Sequence, residues 1–229
     1  MIPTFAFDDL VDQVAAGFER AHGEGGSGHS RLVGLAFTRP ESPFVKAELL
    51  PHLGYWHYRS GDHVDFHFAG YRSGPARTGD PYWEVEVSIP GMPGGAWSYS
   101  NEFFERFRSE LEADSAWRYG GGAELVLLNV SRDHRGLLEI GYSSVLSCRL
   151  DVMKADKAFS SVEEFFESIF RYAEAADDSD PTWGFSDATG LKIAGSAMKR
   201  MVLSVLPKEV GASYQAAEHL AVRDYTKRR

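Results

Sequence analysis

A short, uniformly apolar run at residues 32–37, LVGLAF, constrains the fold more than any other stretch of this sequence. A run of this length without polar positions is typical of a strand buried on both faces, as in sheets that helices cover on both sides. Ser42 and Pro43 follow as a helix N-cap and first helical residue. A short helix then leads past Pro51 to a second strand at 63–69. These elements predict a β–helix–β unit with a right-handed parallel crossover.

The remaining patterns predict an α/β or α+β fold, in which helices flank a mixed sheet of about five strands. A capping box opens the last helix before the predicted boundary, and a turn joins the last two strands into an antiparallel hairpin. Besides the β–helix–β unit, the predicted elements are a helix at 8–22, a half-exposed strand at 82–89, a helix at 100–113, strands at 123–130 and 137–150, and a helix at 161–175.

The acidic, turn-forming sequence DDSDP at 177–181 is the clearest boundary in the chain. It divides the chain into a predicted α/β domain, 1–176, and a C-terminal helical extension, 177–229, packed on that domain. Helices at 187–206 and 208–224 make up the extension. The apolar stripe of the first helix predicts packing on the sheet of the same chain. Docking on a second copy, on a partner helix or on a membrane surface is the alternative.

The order of the elements is compatible with a thioredoxin-like sheet that carries extra helices at both ends. This is a resemblance of fold alone, and one fold hosts many functions. In that arrangement a redox cysteine pair would follow the first strand, where this chain has Arg39-Pro40-Glu41-Ser42. The one cysteine, Cys148, lies within a predicted strand. We therefore expect a buried, inert thiol, no dithiol chemistry, no intramolecular disulfide and no multi-cysteine zinc site.

The charge balance narrows the possible partners. A net charge of −9 and a pI near 5.4 argue against non-specific nucleic-acid binding, which needs clustered Lys and Arg. The sequence has no stretch of about 18 apolar residues and no basic segment before an apolar run at its start. Neither a membrane span nor a signal peptide is expected, and we predict a soluble, cytoplasmic protein.

The candidate functional residues are concentrated at 52–71, HLGYWHYRSGDHVDFHFAGY, which holds half of the eight histidines. The second half of this stretch alternates polar and apolar residues, which predicts a strand with one polar and one apolar face. The polar positions are His63, Asp65 and His67, and the apolar positions are Val64, Phe66 and Phe68.

The preferred hypothesis is a non-catalytic module, without a cofactor, that binds a protein or a small ligand through residues 52–72. Aromatic and arginine side chains are enriched at interface hot spots. The Gly- and Pro-rich loops at 72–81 and 90–97 are long enough to form a rim near this stretch. Trp56 and Tyr58 are expected to bury at least one ring face. The predicted binding residues are Tyr55, Trp56, His57, Tyr58, Arg59, Tyr71 and Arg72.

The alternative hypothesis is a small metal- or acid–base-dependent hydrolase centred on His63, Asp65 and His67. Asp65 could orient an imidazole, and both residue types bind divalent transition metals. Residues four apart on a strand are separated by about 13 Å, so His63 and His67 cannot easily share one ion. A metal set would combine Asp65 and His67 with a histidine from another segment. The candidates for that histidine are His57, His52 and His134.

The sequence contains no complete catalytic constellation. No HExxH motif is present, and no G-x-S-x-G motif surrounds Ser143 or Ser144. For this reason the binding hypothesis is preferred over the enzyme hypothesis.

Overall fold

The computed structural model has a six-stranded mixed sheet with helices on both faces, and a separate three-stranded sheet. The structure describes residues 2–4, 7–22, 30–59, 64–74, 85–89, 96–132, 135, 137–179, 202–203, 206–216 and 221–225. The strands are β1 (Ile2–Thr4), β2 (Ser30–Phe37), β3 (Val64–Ala69), β4 (Tyr71–Ser73), β5 (Val85–Ser88), β6 (Ala96–Tyr99), β7 (Glu124–Arg132), β8 (Leu138–Arg149) and β9 (Val222–Asp224). The helices are α1 (Phe7–His22), α2 (Leu53–Arg59), α3 (Asn101–Asp114), α4 (Leu150–Ala155), α5 (Val162–Ser179) and α6 (Lys208–Ala216).

The larger sheet has the strand order β1-β3-β2-β7-β8-β9. Strand β3 runs parallel to both β1 and β2, whereas the pairs β2–β7, β7–β8 and β8–β9 are antiparallel. The predicted β–helix–β unit and the predicted hairpin are both present. The central order β3-β2-β7-β8, with one parallel and two antiparallel pairs, agrees with a thioredoxin-like topology. The predicted α/β class is confirmed. The larger sheet has six described strands rather than about five, and the strand predicted at 82–89 lies, as β5, in the smaller sheet.

The C-terminal segment contributes a strand as well as a helix. The helix predicted at 208–224 ends at Ala216, and β9 pairs with β8, where Val222 lies opposite Cys148. The edge of β8 presents backbone donors and acceptors that a strand can pair and a helix cannot, which accounts for the difference. The helix predicted at 187–206 lies mostly outside the described residues, and the division at residue 177 stays a prediction.

The segment between β2 and β3 is an irregular helix that accommodates Pro51. It begins with a π-helical turn, Val45–Leu49, and continues through a 3-10 turn, Leu50–His52, into α2. Proline lacks the N–H that an α-helix would use at that position. The wider first turn, closed by the Leu50 N–H on the Val45 carbonyl, lets the chain continue as a helix through the proline.

One face of the sheet packs against α2 and α5 through aromatic side chains. Trp56 of α2 is fully buried and stacks on Phe166 of α5, with ring centroids 4.5 Å apart. The Phe66 ring on β3 lies 4.7 Å from Phe166 and thus joins both helices to the sheet. Gly34 on the neighbouring strand lets this ring lie flat on the sheet, because a Cβ at that position would be 2.4 Å from it.

The opposite face is covered by α1 and α3. Phe37, at the end of β2, makes edge contacts with Phe104 and Phe107 of α3 and lies 4.7 Å from the Trp117 ring. Cys148 is fully buried, as expected, and burial raises the pKa of its thiol. Among the helices that the structure describes, none combines the length and apolar character that a membrane span requires.

We predict that Trp56→Ala destabilises the protein by about 3–5 kcal/mol, because it empties a buried space between two helices and the sheet. Tyr58→Ala, two residues away in the same helix, is the matched control. Its ring is 66 % exposed, so its effect on stability should stay within about 0.5 kcal/mol. Urea unfolding of the two variants measures the difference, and equal stabilities would contradict the packing described above.

Candidate functional site

The predicted polar face of β3 is buried against the rest of the protein. All six residues of β3 are buried, and Asp65 and His67 have no solvent-exposed surface. Strands β1 and β2 flank β3 on both sides, and α1 contacts it. The alternation of polar and apolar residues was predicted correctly, but both faces of the strand are covered by helices.

The Asp65 carboxylate forms an ion pair with Arg31 from the neighbouring strand. The Arg31 Nε lies 2.9 Å from the Asp65 Oδ2, and both side chains are almost completely buried. Arg31 also donates through Nη1 to the Gly17 carbonyl of α1, at 3.4 Å. A Cβ on Gly17 would lie 2.6 Å from the same carboxylate oxygen, so only glycine lets α1 approach this closely. The ion pair therefore lies between sheet and helix.

His67 belongs to a second buried polar group, which joins β1, β3 and α1. Its Nδ1 lies 2.9 Å from the Thr4 Oγ1 and 3.1 Å from the Gln13 Oε1. The Thr4 hydroxyl donates to the same Gln13 oxygen at 2.7 Å. Because an amide oxygen can only accept, we infer that Nδ1 carries the imidazole proton. The His67 Nε2 is then a buried acceptor, and no described residue donates to it.

The surroundings of His67 favour its neutral form. Burial, the largest cause, lowers the pKa of the imidazole to about 3, and the positive charge of Arg31 acts in the same direction. An imidazole of this kind is a poor proton carrier at neutral pH, because it stays neutral and cannot reach a substrate. The geometry therefore assigns Asp65 and His67 to the interior packing.

The metal-site alternative is not assembled in the part of the chain that the structure describes. No group of three or more His, Cys, Asp or Glu there could hold an ion. Asp65 already faces the Arg31 cation, and His52 lies at the α2–α5 contact, 3.6 Å from Glu163. His63 and His134 and the side chain of His57 lie outside the described residues.

A second buried carboxylate, Glu124 at the start of β7, was not identified from the sequence. It accepts hydrogen bonds from the Trp117 indole and the Gly120 N–H, both at 3.0 Å, and from the Ser147 hydroxyl. Its only sequence signal is an acidic residue at the start of an otherwise apolar strand. All of these donors come from the protein, so Glu124 holds the preceding loop against the sheet.

Two of the seven predicted binding residues belong to the core. Trp56 is the buried ring that stacks on α5, and Tyr71 is fully buried with its hydroxyl donating to the Thr38 carbonyl at 3.1 Å. Both were predicted to contribute to a binding surface, and their burial corrects that interpretation. The physical reason is that a large apolar ring next to a sheet contributes most to the stability of the folded protein when it is completely buried.

Tyr55 and Tyr58 instead project from the solvent side of α2, with 49 % and 66 % of their surface exposed. Residues three apart lie on the same side of a helix, so the two rings are neighbours. Arg59 follows them at the end of α2, where it lies 3.8 Å from Glu167 and 5.5 Å from the centre of the Phe170 ring. We call Tyr55, Tyr58 and Arg59 the α2 surface.

Arg72 does not belong to the α2 surface. It lies on β4, beyond the C-terminal end of β3, whereas Arg59 precedes the N-terminal end of the same strand. The six residues of β3 span about 20 Å between these points. The predicted binding stretch is thus divided between two ends of the sheet.

The polar side chains of α5 hold the α2 surface in place. The Glu167 carboxylate lies 3.8 Å from Arg59, and the Glu163 carboxylate lies 3.6 Å from His52. Partial desolvation, together with the nearby Glu167 carboxylate, raises the pKa of the Tyr55 hydroxyl. Tyr55 therefore remains a neutral hydrogen-bonding group at physiological pH.

Comparison of the chain with protein-family models, curated proteins and solved structures found no match in any of the three.

We predict that Asp65→Asn destabilises the protein by about 3–5 kcal/mol, because it leaves the Arg31 cation buried without a counter-charge. Replacing both partners, Arg31→Met with Asp65→Leu, should recover most of that loss, since Leu has nearly the shape of Asp. Urea unfolding of the single and double variants tests this. A catalytic Asp65 would give the opposite pattern, with the stability of Asp65→Asn unchanged.

We also predict that His67 makes the protein less stable in mild acid. Its folded pKa of about 3 lies below the ordinary value of 6.5, so between these values the unfolded chain binds the extra proton. Stability is therefore unaffected by His67 above about pH 6.5 and falls below it, by roughly 2 kcal/mol at pH 5. His67→Gln should lose this part of the pH dependence in urea unfolding at about pH 7.5 and pH 5. An unchanged difference between the two pH values would show that His67 titrates normally.

Proposed function

We propose that the protein is a non-catalytic binding module and that its α2 surface binds a protein partner. The observation that carries this proposal is the exposure of Tyr55 and Tyr58. They are the only exposed aromatic rings among the residues whose side chains the structure describes. The ring between them in sequence, Trp56, is fully buried, so the core accounts for Trp56 but not for its two neighbours.

The composition of the α2 surface supports a protein interface. Tyrosine and arginine contribute a large contact area together with hydrogen-bonding groups, and both are enriched at hot spots. Glu167 already attracts Arg59, which reduces the conformational entropy that this side chain would lose on binding.

The shape of the surface favours a protein over a small molecule. Small ligands bind in concave pockets that bury most of their surface, whereas Tyr55 and Tyr58 project from the convex side of a helix. A partner that covers this helix would bury both rings at once. Its contact region should be apolar, with an acidic group placed to meet Arg59.

We predict that Tyr55→Ala and Tyr58→Ala each weaken binding of the partner by about tenfold or more, as hot-spot residues do. The partner is first identified by placing a photo-crosslinking benzoylphenylalanine at position 58 in the source cells and sequencing the crosslinked product. The same crosslinker at position 109, an exposed serine on α3, serves as control. The affinity of the purified partner is then measured by calorimetry.

The expected result is a crosslinked product specific to position 58 and a loss of affinity without a loss of melting temperature. Identical products at the two positions, or unchanged affinity of both alanine variants, would contradict the proposal. A crosslink to another copy of the chain would identify self-association through α2.

A further inference from the structure

A cavity of about 590 Å³ lies beside α5, next to the side of this helix that faces the α2 surface. Glu167 contacts Arg59 of α2 and Glu163 contacts His52 of the 3-10 turn before it, whereas Glu164 and Ser168 line the cavity on the adjacent side of α5. The size is within the range of small-molecule sites. The cavity lies between the end of α4, the first turns of α5 and the segment before α6.

The apolar part of the cavity is a preformed aromatic wall. Phe159 and Phe165 stack with ring centroids 5.2 Å apart and planes tilted by 26°. Leu206, from the segment before α6, is also nearly buried at the cavity. Phe165 is only 1 % exposed and supports Phe159 from behind, so a flat apolar group in the cavity would contact Phe159 and Leu206.

The polar part of the cavity carries charges of both signs. Lys154 and Lys157 line it, together with one carboxylate, Glu164. Lys154 is held between the Glu48 carboxylate, 3.2 Å away, and the Ser160 carbonyl. Part of its charge is thus compensated, while Lys157 is exposed to solvent. The first turn of α5 also adds the partial positive charge of a helix N-terminus.

The backbone at Lys157 is unfavourable for a lysine. Its φ is +58°, and it follows the end of α4 in a Schellman motif, where the Ala158 N–H binds the Met153 carbonyl and the Lys157 N–H binds the Lys154 carbonyl. Glycine is the usual residue at this position because it has no Cβ. A lysine there is less stable than glycine, yet it places an ammonium group at the cavity.

We propose that this cavity binds a small amphiphilic anion, an aromatic or other flat apolar body that carries a carboxylate or sulfonate. The apolar body contacts Phe159 and Leu206, and the anionic group pairs with Lys157. Ser160 lines the same cavity, and its hydroxyl can donate a hydrogen bond to the anionic group. The proposal does not depend on the α2 surface, because no residue of that surface lines the cavity.

The test uses the fluorescence of anilinonaphthalene sulfonate on the folded, full-length protein, followed by competition with naphthoate and with uncharged naphthylmethanol. We expect saturable binding at one site, displacement by naphthoate and much weaker displacement by naphthylmethanol. Lys157→Glu should weaken the affinity at least tenfold. Lys46→Glu, the same change at an exposed lysine that does not line the cavity, should leave it unchanged.

Lys157→Gly separates binding from folding. It should raise the melting temperature by about 2–4 °C, by relieving the backbone strain, and weaken binding of the naphthoate several-fold. The proposal is overturned if the probe does not saturate, if naphthylmethanol competes as well as naphthoate, or if Lys46→Glu and Lys157→Glu have equal effects. Tyr58→Ala should bind the probe normally. If the cavity proposal fails, the proposal for the α2 surface is unaffected, because its crosslinking test does not use the cavity.

Discussion

Strand β3 is covered on both faces, and the arrangement of the helices depends on this burial. Its phenylalanine face packs against α2 and α5, where Phe66 meets Phe166 beneath the Trp56 ring. Its polar face packs against α1, where Asp65 and His67 have no exposed surface. Removing either covering layer would expose apolar rings on one side or a buried ion pair on the other.

The charged side chains between β3 and α1 must be paired with one another, because they are shielded from water. Burying a carboxylate and a guanidinium is costly unless they are paired, and Arg31 lies 2.9 Å from Asp65. The close approach of α1 requires glycine at residue 17, since a side chain there would collide with the Asp65 carboxylate. This arrangement explains why β3 contains Asp65 and His67, residue types that are common in catalytic sites, without forming an accessible site. The two side chains determine how α1 packs on the sheet.

The two surfaces proposed for binding lie on either side of α5 and differ in shape. The α2 surface is convex and aromatic, which suits the broad contact of a protein partner. The cavity is concave and is lined by the exposed Lys157 and by Phe159, which suits a small amphiphilic anion. Their shared neighbour is α5, whose Glu167 carboxylate lies 3.8 Å from Arg59 and whose first turn borders the cavity. A ligand in the cavity and a partner on α2 would therefore contact the same helix without sharing a residue.

Local sequence patterns predicted four of the six strands of the larger sheet, namely β2, β3, β7 and β8. The apolar run at 32–37, the hairpin of β7 and β8 and the capping box of α5 depend on local periodicity and capping, which act within a few residues. Strand β9 was not predicted, because its pairing with β8 joins residues about 75 positions apart in the chain.

Packing between elements distant in sequence determines which candidate residues are accessible. The alternation in β3 identifies two faces but cannot say what covers each face, since that depends on where α1 packs. The aromatic residues of α2 are similar in sequence, yet the position of α5 buries Trp56 and leaves Tyr55 and Tyr58 exposed. The cavity joins Phe159 to Leu206, which no local pattern connects. Local sequence determines secondary structure, whereas long-range packing determines exposure, and the proposed functions depend on exposure.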